Sequence, residues 1–547
     1  MEKNYRLLKN RANEPVLDYL LKNRQAIKPD IDKTFEDIDF DHPFANEKEV
    51  LDLLQNAIES KLDTIGFIVD VDSDGNNSLM ILHEGFKPFF KNMVHVYCER
   101  ANGYGIREQY YDELKARGVT LAITADIGIT GRKAVEYGKS LGITTVTTDH
   151  HTIQAEDLPD CLIINPKLSG VGDYFYDLCG AGIVYFLIGK LCRRLGVEFD
   201  SDRILLHHTT TGTIGDLVAL TGVNRLLCRE GLKDMLYTKS PGLQYMLQAK
   251  KYQYVDVGVI AFYIVPMINS MNRIGDIYKV FSFFSTDDLE LRQSLYTQIA
   301  STNEMRKGIQ FAAIEQAKHL MQKNQVFKRR IMYLNLKSNK SINGLVSSYI
   351  TNYYGKPSMV VSEKDGITAG SGRAVGGFDA MNLITAIKPY CINAGGHRSA
   401  WGLSFASQNE DLVLREISMI PEKLTPPYYK EIDMELSSDE LSKMEITQKL
   451  DLLRPFGQQN PEPMFLTKKI KIKYIKTTER HSFVTFEGNT NDPWGSQAEI
   501  QGNLFNYVID QEFRSGQYVD IVYTINIDNS INLDCMKHNI KPQIFIF

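Results

Sequence analysis

Long apolar runs are missing from this 547-residue chain. The longest, Ala181 to Gly189, is far short of the ~20 residues that a membrane helix needs. The start, Met1-Glu2-Lys3-Asn4-Tyr5-Arg6, is charged with no apolar stretch behind it, so the expectation is a cytoplasmic protein with no membrane segment. Cysteine is scarce too. The seven residues, at 98, 161, 179, 192, 228, 391 and 535, are odd in number and never in C-x-x-C spacing, which argues against a disulfide framework and a zinc ribbon alike. Basic charge is not in excess: a net charge of −5 and a pI near 6.2 lack the positive footprint usual in nucleic-acid binders. Lys328-Arg329-Arg330 and Lys468-Lys469-Ile470-Lys471-Ile472-Lys473 are the basic runs, each readable as a local patch or as a solvated face. There is no low-complexity tract and no repeat, and 43% hydrophobic with 24% charged residues is ordinary globular composition. The length suits about three or four domains at ~100–200 residues each.

What the chain does have is carboxylates in telling places. Val69-Asp70-Val71-Asp72-Ser73-Asp74-Gly75 is answered downstream by Thr148-Asp149-His150-His151. Carboxylates gathered in one cleft repel one another, and divalent cations compensate several at once. An isolated D-x-D-x-D-G is as readily a solvated acidic turn, so the context decides.

That context is a βα alternation. Residues 65–69 form an apolar run suited to a buried strand, followed by a helical stretch from Ser78 to about Gly85. Strand-like segments recur at Val94–Tyr97, Leu121–Thr124, Thr144–Thr147 and Leu162–Ile164, with a helical stretch from Gly131 to Leu141. Such alternation predicts a parallel sheet flanked by helices, whose carboxyl edge is where open α/β sheets bind ligands. Asp70 and Asp72, then Asp126, then Asp149-His150-His151 each follow a strand and converge on that edge, and Gly212-Thr213-Ile214-Gly215-Asp216 adds a carboxylate beside small residues.

These residues resemble the four motifs of the DHH phosphoesterase family: Asp70-x-Asp72-x-Asp74-Gly75, Thr124-Ala125-Asp126-Ile127-Gly128, Asp149-His150-His151 and Gly212-Thr213-x-x-Asp216. Within that family the chain is most similar to RecJ-type exonucleases. The similarity runs from about residue 50 to the C-terminus. Supporting matches are Arg100-Ala101-Asn102-Gly103-Tyr104-Gly105, Leu158-Pro159-Asp160 leading to Asn165-Pro166-Lys167, Gly180-Ala181-Gly182, Asn224-Arg225 and Asn269-Ser270-Met271-Asn272-Arg273. Gly370-Ser371-Gly372-Arg373 with Ala394-Gly395-Gly396-His397-Arg398 resembles the DHHA1 domain. Arg454-Pro455-Phe456-Gly457-Gln458-Gln459-Asn460-Pro461 is similar to the segment that leads into the family's oligonucleotide-binding (OB) domain. Strand-like runs follow it at 470–475, 482–486, 498–504, 518–525 and 531–535, which suits a five-stranded barrel. Tyr474, Phe483, Phe486, Phe505 and Tyr507 are aromatics available there for base stacking or for the barrel core.

The expected fold is therefore α/β multidomain: an N-terminal helical lead-in (1–45), a parallel-sheet DHH core (46–230), a helical connector (231–325), a smaller α/β DHHA1 domain (326–410) and an OB-type β-barrel (411–547). The resemblance implies two Mn²⁺ or Mg²⁺ ions held by Asp70, Asp72, Asp74, Asp126, His150 and Asp216, with Asp126 between them. Catalytic roles fall to Asp126, Asp149, His150 and His151, with Asp149 supporting the histidines and His151 facing the scissile phosphate. Arg100, Arg273, Ser371, Arg373, Gly395, Gly396 and His397 are the candidates for binding substrate phosphates. Two departures from the family pattern stand out: Ile127 where Asn is usual and Trp401 where Ala is usual. The implied activity is hydrolysis of single-stranded DNA, 5′ to 3′ with mononucleotide release, by a monomer acting in repair or recombination with a single-strand-binding protein or helicase as partner. The competing readings are a DHH phosphodiesterase or oligoribonuclease acting on short oligonucleotides or cyclic dinucleotides, and a non-catalytic DNA-binding scaffold. The terminal barrel argues against the first, and the intact ligand set against the second.

Overall fold

The computed structural model describes residues 5–8, 14–24, 27–99, 105–153, 155–375, 377–396, 398–421, 429–441, 445–479, 481–491, 497–504, 509, 513–526, 530–537 and 543–544. The chain divides into two compact units. One comprises Leu21–Asn303 and Leu450–Glu462, the other Met1–Leu20, Glu304–Lys449 and Pro463–Phe547.

The first unit is built on five parallel strands: β1 (Thr64–Val69), β2 (Asn92–Tyr97), β3 (Leu121–Ala125), β4 (Thr144–Thr148) and β5 (Leu162–Ile164). Their spatial order is β2-β1-β3-β4-β5, a doubly wound arrangement whose order reverses between β1 and β3. Alternation along the strands feeds two cores. Ile65, Phe67, Val69, Ile123, Ala125 and Val146 pack with the helices Ser73–Phe86, Gly180–Leu195 and Ile204–Asp216. Ile68, Val96 and Ala122 face the other way, onto the helices Glu108–Ala116 and Arg132–Ser140. The first of these helices starts at Ser73, earlier than the apolar pattern suggests, because Asp72 caps it: its carboxylate accepts the N–H groups of Asp74 (3.0 Å) and Gly75 (3.3 Å).

Residues 450–462 belong to this unit although they precede the barrel in sequence. The buried Arg225 guanidinium donates to the carbonyls of Leu452 (2.6 Å) and Asp30 (3.0 Å), and Leu220 N–H donates to Gln458 O (2.9 Å). Among the described residues one helical stretch, Val257–Ile274, is long and apolar enough to cross a membrane by length and composition, and half of it is buried inside the fold. It contains a π turn at Ile260–Ile264.

The second unit holds a mixed sheet of β6 (Met332–Asn335), β7 (Ser358–Lys364), β8 (Ile367–Arg373), β9 (Asn393–Gly396) and β10 (Ala400–Ala406), in the order β9-β10-β8-β7-β6. Only β6 and β7 run parallel. Helices Ala380–Ile387 and Glu410–Met419 pack on one face, helix Asn343–Tyr354 and part of the long helix Leu289–Lys323 on the other. After them come β11 (Phe465–Thr477), β12 (Ser482–Asn491), β13 (Gln497–Leu504), β14 (Tyr518–Ile525) and β15 (Ile531–Lys537), which close into a barrel through the β11–β14 pairing and a parallel β13–β15 pairing. The barrel predicted from the strand-like runs is thus present, and Phe486 fills its core while Tyr474 is 48% exposed. Phe505 and Tyr507 lie outside the described residues. The short strand Tyr5–Leu7, in the stretch expected to be a helical lead-in, pairs with Lys430–Ile432 and Gln543–Ile544.

Candidate metal centre and phosphate-binding residues

Strand register lines up the acidic groups. Val69 pairs with Ala125, Ala125 with Thr148, and Thr148 with Ile164, so the next residues, Asp70, Asp126, Asp149 and Asn165, stand side by side on the carboxyl edge. Backbone bonds carry the alignment past the strand ends: Asp70 N–H to Ala125 O (3.2 Å), Asp126 N–H to Thr148 O (3.1 Å) and Asp149 N–H to Ile164 O (3.1 Å). Asp70 and Asp126 flank the point where strand order reverses, the position at which such sheets hold ligands.

Two helix ends complete the cluster. Asp74, in the first turn of Ser73–Phe86, accepts the N–H groups of Gly180 (2.7 Å) and Ala181 (2.9 Å) at the start of Gly180–Leu195, whose positive end suits a carboxylate. Helix Ile204–Asp216 delivers Asp216 at its last residue. Gly180, of the Gly180-Ala181-Gly182 match, and Gly212, of the fourth motif, are there for approach. A Cβ on Gly180 would lie 2.6 Å from Asp126 Cβ, and one on Gly212 would lie 2.7 Å from Asp74 Oδ1. Ligand atoms of Asp70, Asp72 and Asp126 fall within 4.8 Å of one another, as do those of Asp126, His150 and His151, and those of Asp74, His150 and Asp216. Asp126 and His150 are each shared by two of these triads. His150 Nε2 stands 3.2 Å from Asp126 Oδ1 and 3.5 Å from Asp216 Oδ2.

The electrostatics of the bare cluster are unfavourable. Burial, then the charges of Asp74, Asp72, Asp70 and Asp216, push the Asp126 carboxyl well above its usual range. Burial and the neighbouring Asp74 and Asp72 do the same to Asp216. Asp126 also sits in left-handed backbone (φ 61°), and its buried Oδ1 accepts no hydrogen bond among the described residues. A buried acceptor left in this state, in a set of Asp and His donors, fits a divalent cation of the Mn²⁺ or Mg²⁺ type. Asp149 plays a different part: its Oδ2 accepts Ile129 N–H (2.8 Å), and its Oδ1 accepts His151 N–H (3.0 Å) and contacts His151 Nδ1 (2.7 Å). Burial alone would raise Asp149 and lower His151, yet their mutual bond and charge reverse both, holding Asp149 at about 2 and His151 at about 9.

The remaining candidates fall in two places. Arg273 sits in the last turn of the helix Val265–Ile274, in the same unit as the acidic cluster. Ser371 and Arg373 lie on β8, and Gly395 and Gly396 on β9, in the other unit. Arg373 lies against Gly344 at the start of Asn343–Tyr354, where an added Cβ would be 3.0 Å from its Nη2. Arg100 and His397 are outside the described residues. The two departures from the motif pattern both serve packing. Ile127 is buried among Val96, Ile106, Tyr110 and Val135, and Trp401 lies across from Gly372 on the neighbouring strand, in the space a side chain there would fill.

Three residues with no assigned role from sequence also meet the site. Lys167 Nζ donates to the His150 carbonyl, Asn165 Nδ2 donates to the His151 carbonyl (3.1 Å), and the buried Cys179 thiol, 3.5 Å from Thr213 Oγ1, helps to stabilise the Asp74 carboxylate. The Asn165-Pro166-Lys167 match was the available signal for the first two; nothing in the sequence marked Cys179.

Sheet order, strand-end carboxylates and shared triads together give a doubly wound core whose carboxyl edge could hold divalent metal. Residues 64–213 match the family model described as DHH family, N-terminal domain, and residues 432–540 match the RecJ OB domain. The chain therefore carries a DHH-type N-terminal domain and a RecJ-type OB domain. It is 26% identical over 456 residues to the single-stranded-DNA-specific exonuclease RecJ of Bacillus subtilis, a match covering 81% of this chain and 56% of that protein. The RecJ of Salmonella typhimurium is 28% identical over 484 residues, covering 83% of this chain and 82% of the relative. The chain thus spans little more than half of the Bacillus relative. The crystal structure of Thermus thermophilus RecJ in complex with Mn²⁺ superposes with a TM-score of 0.78 at 20% identity, covering 99% of this chain and 80% of that one, so the fold is shared across the chain.

Proposed function

We propose that the protein is a metal-dependent exonuclease hydrolysing phosphodiester bonds of single-stranded DNA. The observation that carries this reading is Asp126: buried, with an oxygen that has no hydrogen-bond partner among the described residues, and common to the triads Asp70/Asp72/Asp126 and Asp126/His150/His151. One carboxylate joined to two ligand sets is what a two-cation phosphoesterase site requires. The names of the relatives and the terminal barrel point to nucleic acid as the phosphate ester.

In this reading Asp70, Asp72, Asp74, Asp126, His150 and Asp216 hold the cations, which when bound lower the pKa of an attacking water and neutralise the phosphoryl oxygens. Asp149 keeps the His151 ring in place by its contact with Nδ1, leaving Nε2 for the scissile phosphate. Arg100, Arg273, Ser371, Arg373, Gly395, Gly396 and His397 bind phosphates along the strand, the arginines offering planar forks for the oxygens. The enzyme works 5′ to 3′ as a cytoplasmic monomer, releasing mononucleotides during repair or recombination alongside a single-strand-binding protein or helicase.

The test is digestion of 5′- and 3′-labelled single strands, blunt duplexes and dinucleotides with Mn²⁺, with Asp126→Ala as control. The expected result is mononucleotide release from single strands that Asp126→Ala abolishes. Equal digestion by Asp126→Ala would refute the metal mechanism, and a preference for dinucleotides would favour a short-oligonucleotide phosphodiesterase instead.

A further inference from the structure

Between them, Asn165 and Lys167 hold both backbone carbonyls of the histidine pair. Asn165 directly follows β5 and is fully buried, Pro166 fixes the turn after it, and Asn165 Oδ1 accepts Lys167 N–H (2.9 Å) and so shapes the short helical turn Pro166–Leu168. From this turn the Asn165 amide donates to His151 O (3.1 Å) and the Lys167 ammonium to His150 O. Asp149, in turn, fixes His151 from the side-chain direction. The backbone of the His150–His151 pair is therefore gripped at two successive carbonyls by one turn of a neighbouring strand connection. His150 is the histidine shared by two of the ligand triads, so a rotation of this peptide would move its imidazole away from Asp126 and Asp216 together.

Lys167 has a second property. It is half-buried beside an acidic cluster, with Asp149, Asp177, Asp216 and Asp126 as its charged neighbours. Desolvation of this ammonium is a cost, offset by those carboxylates and by the His150 carbonyl to which it donates.

We propose that Asn165 and Lys167 are positioning residues that fix the His150–His151 peptide and so set the affinity of the metal centre, an inference that rests on the metal-dependent reading given above. The experiment measures Mn²⁺ binding by electron paramagnetic resonance and by calorimetry. The proteins compared are the full-length chain and its Lys167→Met, Lys167→Gln and Asn165→Ala variants, and turnover and KM on a labelled single-stranded oligonucleotide are recorded in parallel. Loss of such supporting groups lowers metal affinity by ~10–100-fold. Lys167→Met and Asn165→Ala are expected to show a loss in that range with an altered Mn²⁺ signal, a lower kcat and an unchanged KM at saturating metal. Lys167→Gln, which keeps a donor, should recover most of the affinity. If Asn165→Ala does not fold, the half-exposed Lys167 still decides the matter. Mn²⁺ binding unchanged in Lys167→Met, or a raised KM with normal metal affinity, would overturn the positioning role alone. Absence of Mn²⁺ binding by the unmodified protein would overturn the metal-dependent reading and this inference with it.

Discussion

Gly180 donates its backbone N–H to Asp74 Oδ2 across 2.7 Å while its Cα lies so near Asp126 that a Cβ would come 2.6 Å from the aspartate Cβ. The same residue thus closes a helix N-terminus onto one carboxylate and leaves room for another. The atoms met by an added methyl are the Cα, Cβ and Cγ of Asp126, none of which is the far end of a flexible side chain. Gly180→Ala is expected to destabilise the protein by ~1–3 kcal/mol, as overpacking does, and to lower Mn²⁺-dependent turnover by ~10²-fold through displacement of Asp126. Thermal denaturation and single-turnover kinetics check this; normal turnover in Gly180→Ala would show that the cluster tolerates the shift.

The Asp149–His151 pair makes a pH prediction for the metal-free protein. His151 is raised from the ordinary 6.5 to about 9, so its contribution to stability is complete below 6.5 and fades as pH rises through about 9. Asp149 is lowered from 3.8 to about 2, so its contribution is complete above 3.8 and fades as pH falls toward 2. Between roughly pH 4 and 6.5 the pair should therefore contribute constantly. Ring-proton NMR of His151 is expected to give a midpoint near 9 that falls sharply in Asp149→Asn, with turnover reduced ~10–100-fold. A His151 midpoint that ignores Asp149→Asn would remove the pair from the account.

Much of this was legible in the sequence because strand-end chemistry is local. Asp70, Asp126 and Asp149 each follow an apolar run of strand length, and parallel register does the rest. The barrel was legible for the same reason, as runs of short β-type segments after a Pro- and Gly-marked turn. What stayed hidden depends on long-range partners. Nothing near Cys179 announces that its thiol meets Thr213 and bears on the Asp74 carboxyl. Residues 450–462 read as the entrance to the barrel, yet the buried Arg225 and Leu220 draw them onto the first unit through carbonyl groups, which carry no side-chain signature. Asp74 looked equivalent to Asp70 and Asp72 in the motif, and only the fold shows both of its oxygens already accepting helix N–H groups.

Trp401 and Gly372 form a large-against-small pair across β10 and β8, with the indole 2.0 Å from where a Gly372 Cβ would stand. Gly372→Ala alone should destabilise the protein by ~1–3 kcal/mol, and Trp401→Ala alone by ~3–5 kcal/mol through the cavity it leaves. Together they should not add, since the alanine methyl then occupies part of the vacated space. A double-mutant cycle by chemical denaturation is expected to return a favourable coupling of ~1–2 kcal/mol. Strict additivity would mean that the steric conflict is relieved elsewhere.

Three of the five lysines of β11 are paired with glutamates. Lys468 pairs with Glu435 (2.8 Å), Lys471 with Glu487 (3.0 Å) and Lys473 with Glu499, so these three ammonium groups are locally neutralised. Exposed pairs of this kind contribute ~0–1 kcal/mol each, so breaking them should barely change stability. It should change nucleic-acid binding if this face of the barrel meets a phosphate backbone. In an Asp126→Ala background that prevents cleavage, Glu487→Gln with Glu499→Gln releases two ammonium groups to compete for phosphates. The expected outcome is tighter binding of a single-stranded oligonucleotide at low salt and a plot of log affinity against log salt steeper by ~1.4, from ~0.7 per added phosphate contact. The exposed Tyr474 on the same strand supplies a control: Tyr474→Ala should weaken binding by ~1–3 kcal/mol without altering that slope, because stacking releases no counterions. A slope unmoved by the paired glutamine substitutions would place the path of the strand away from β11.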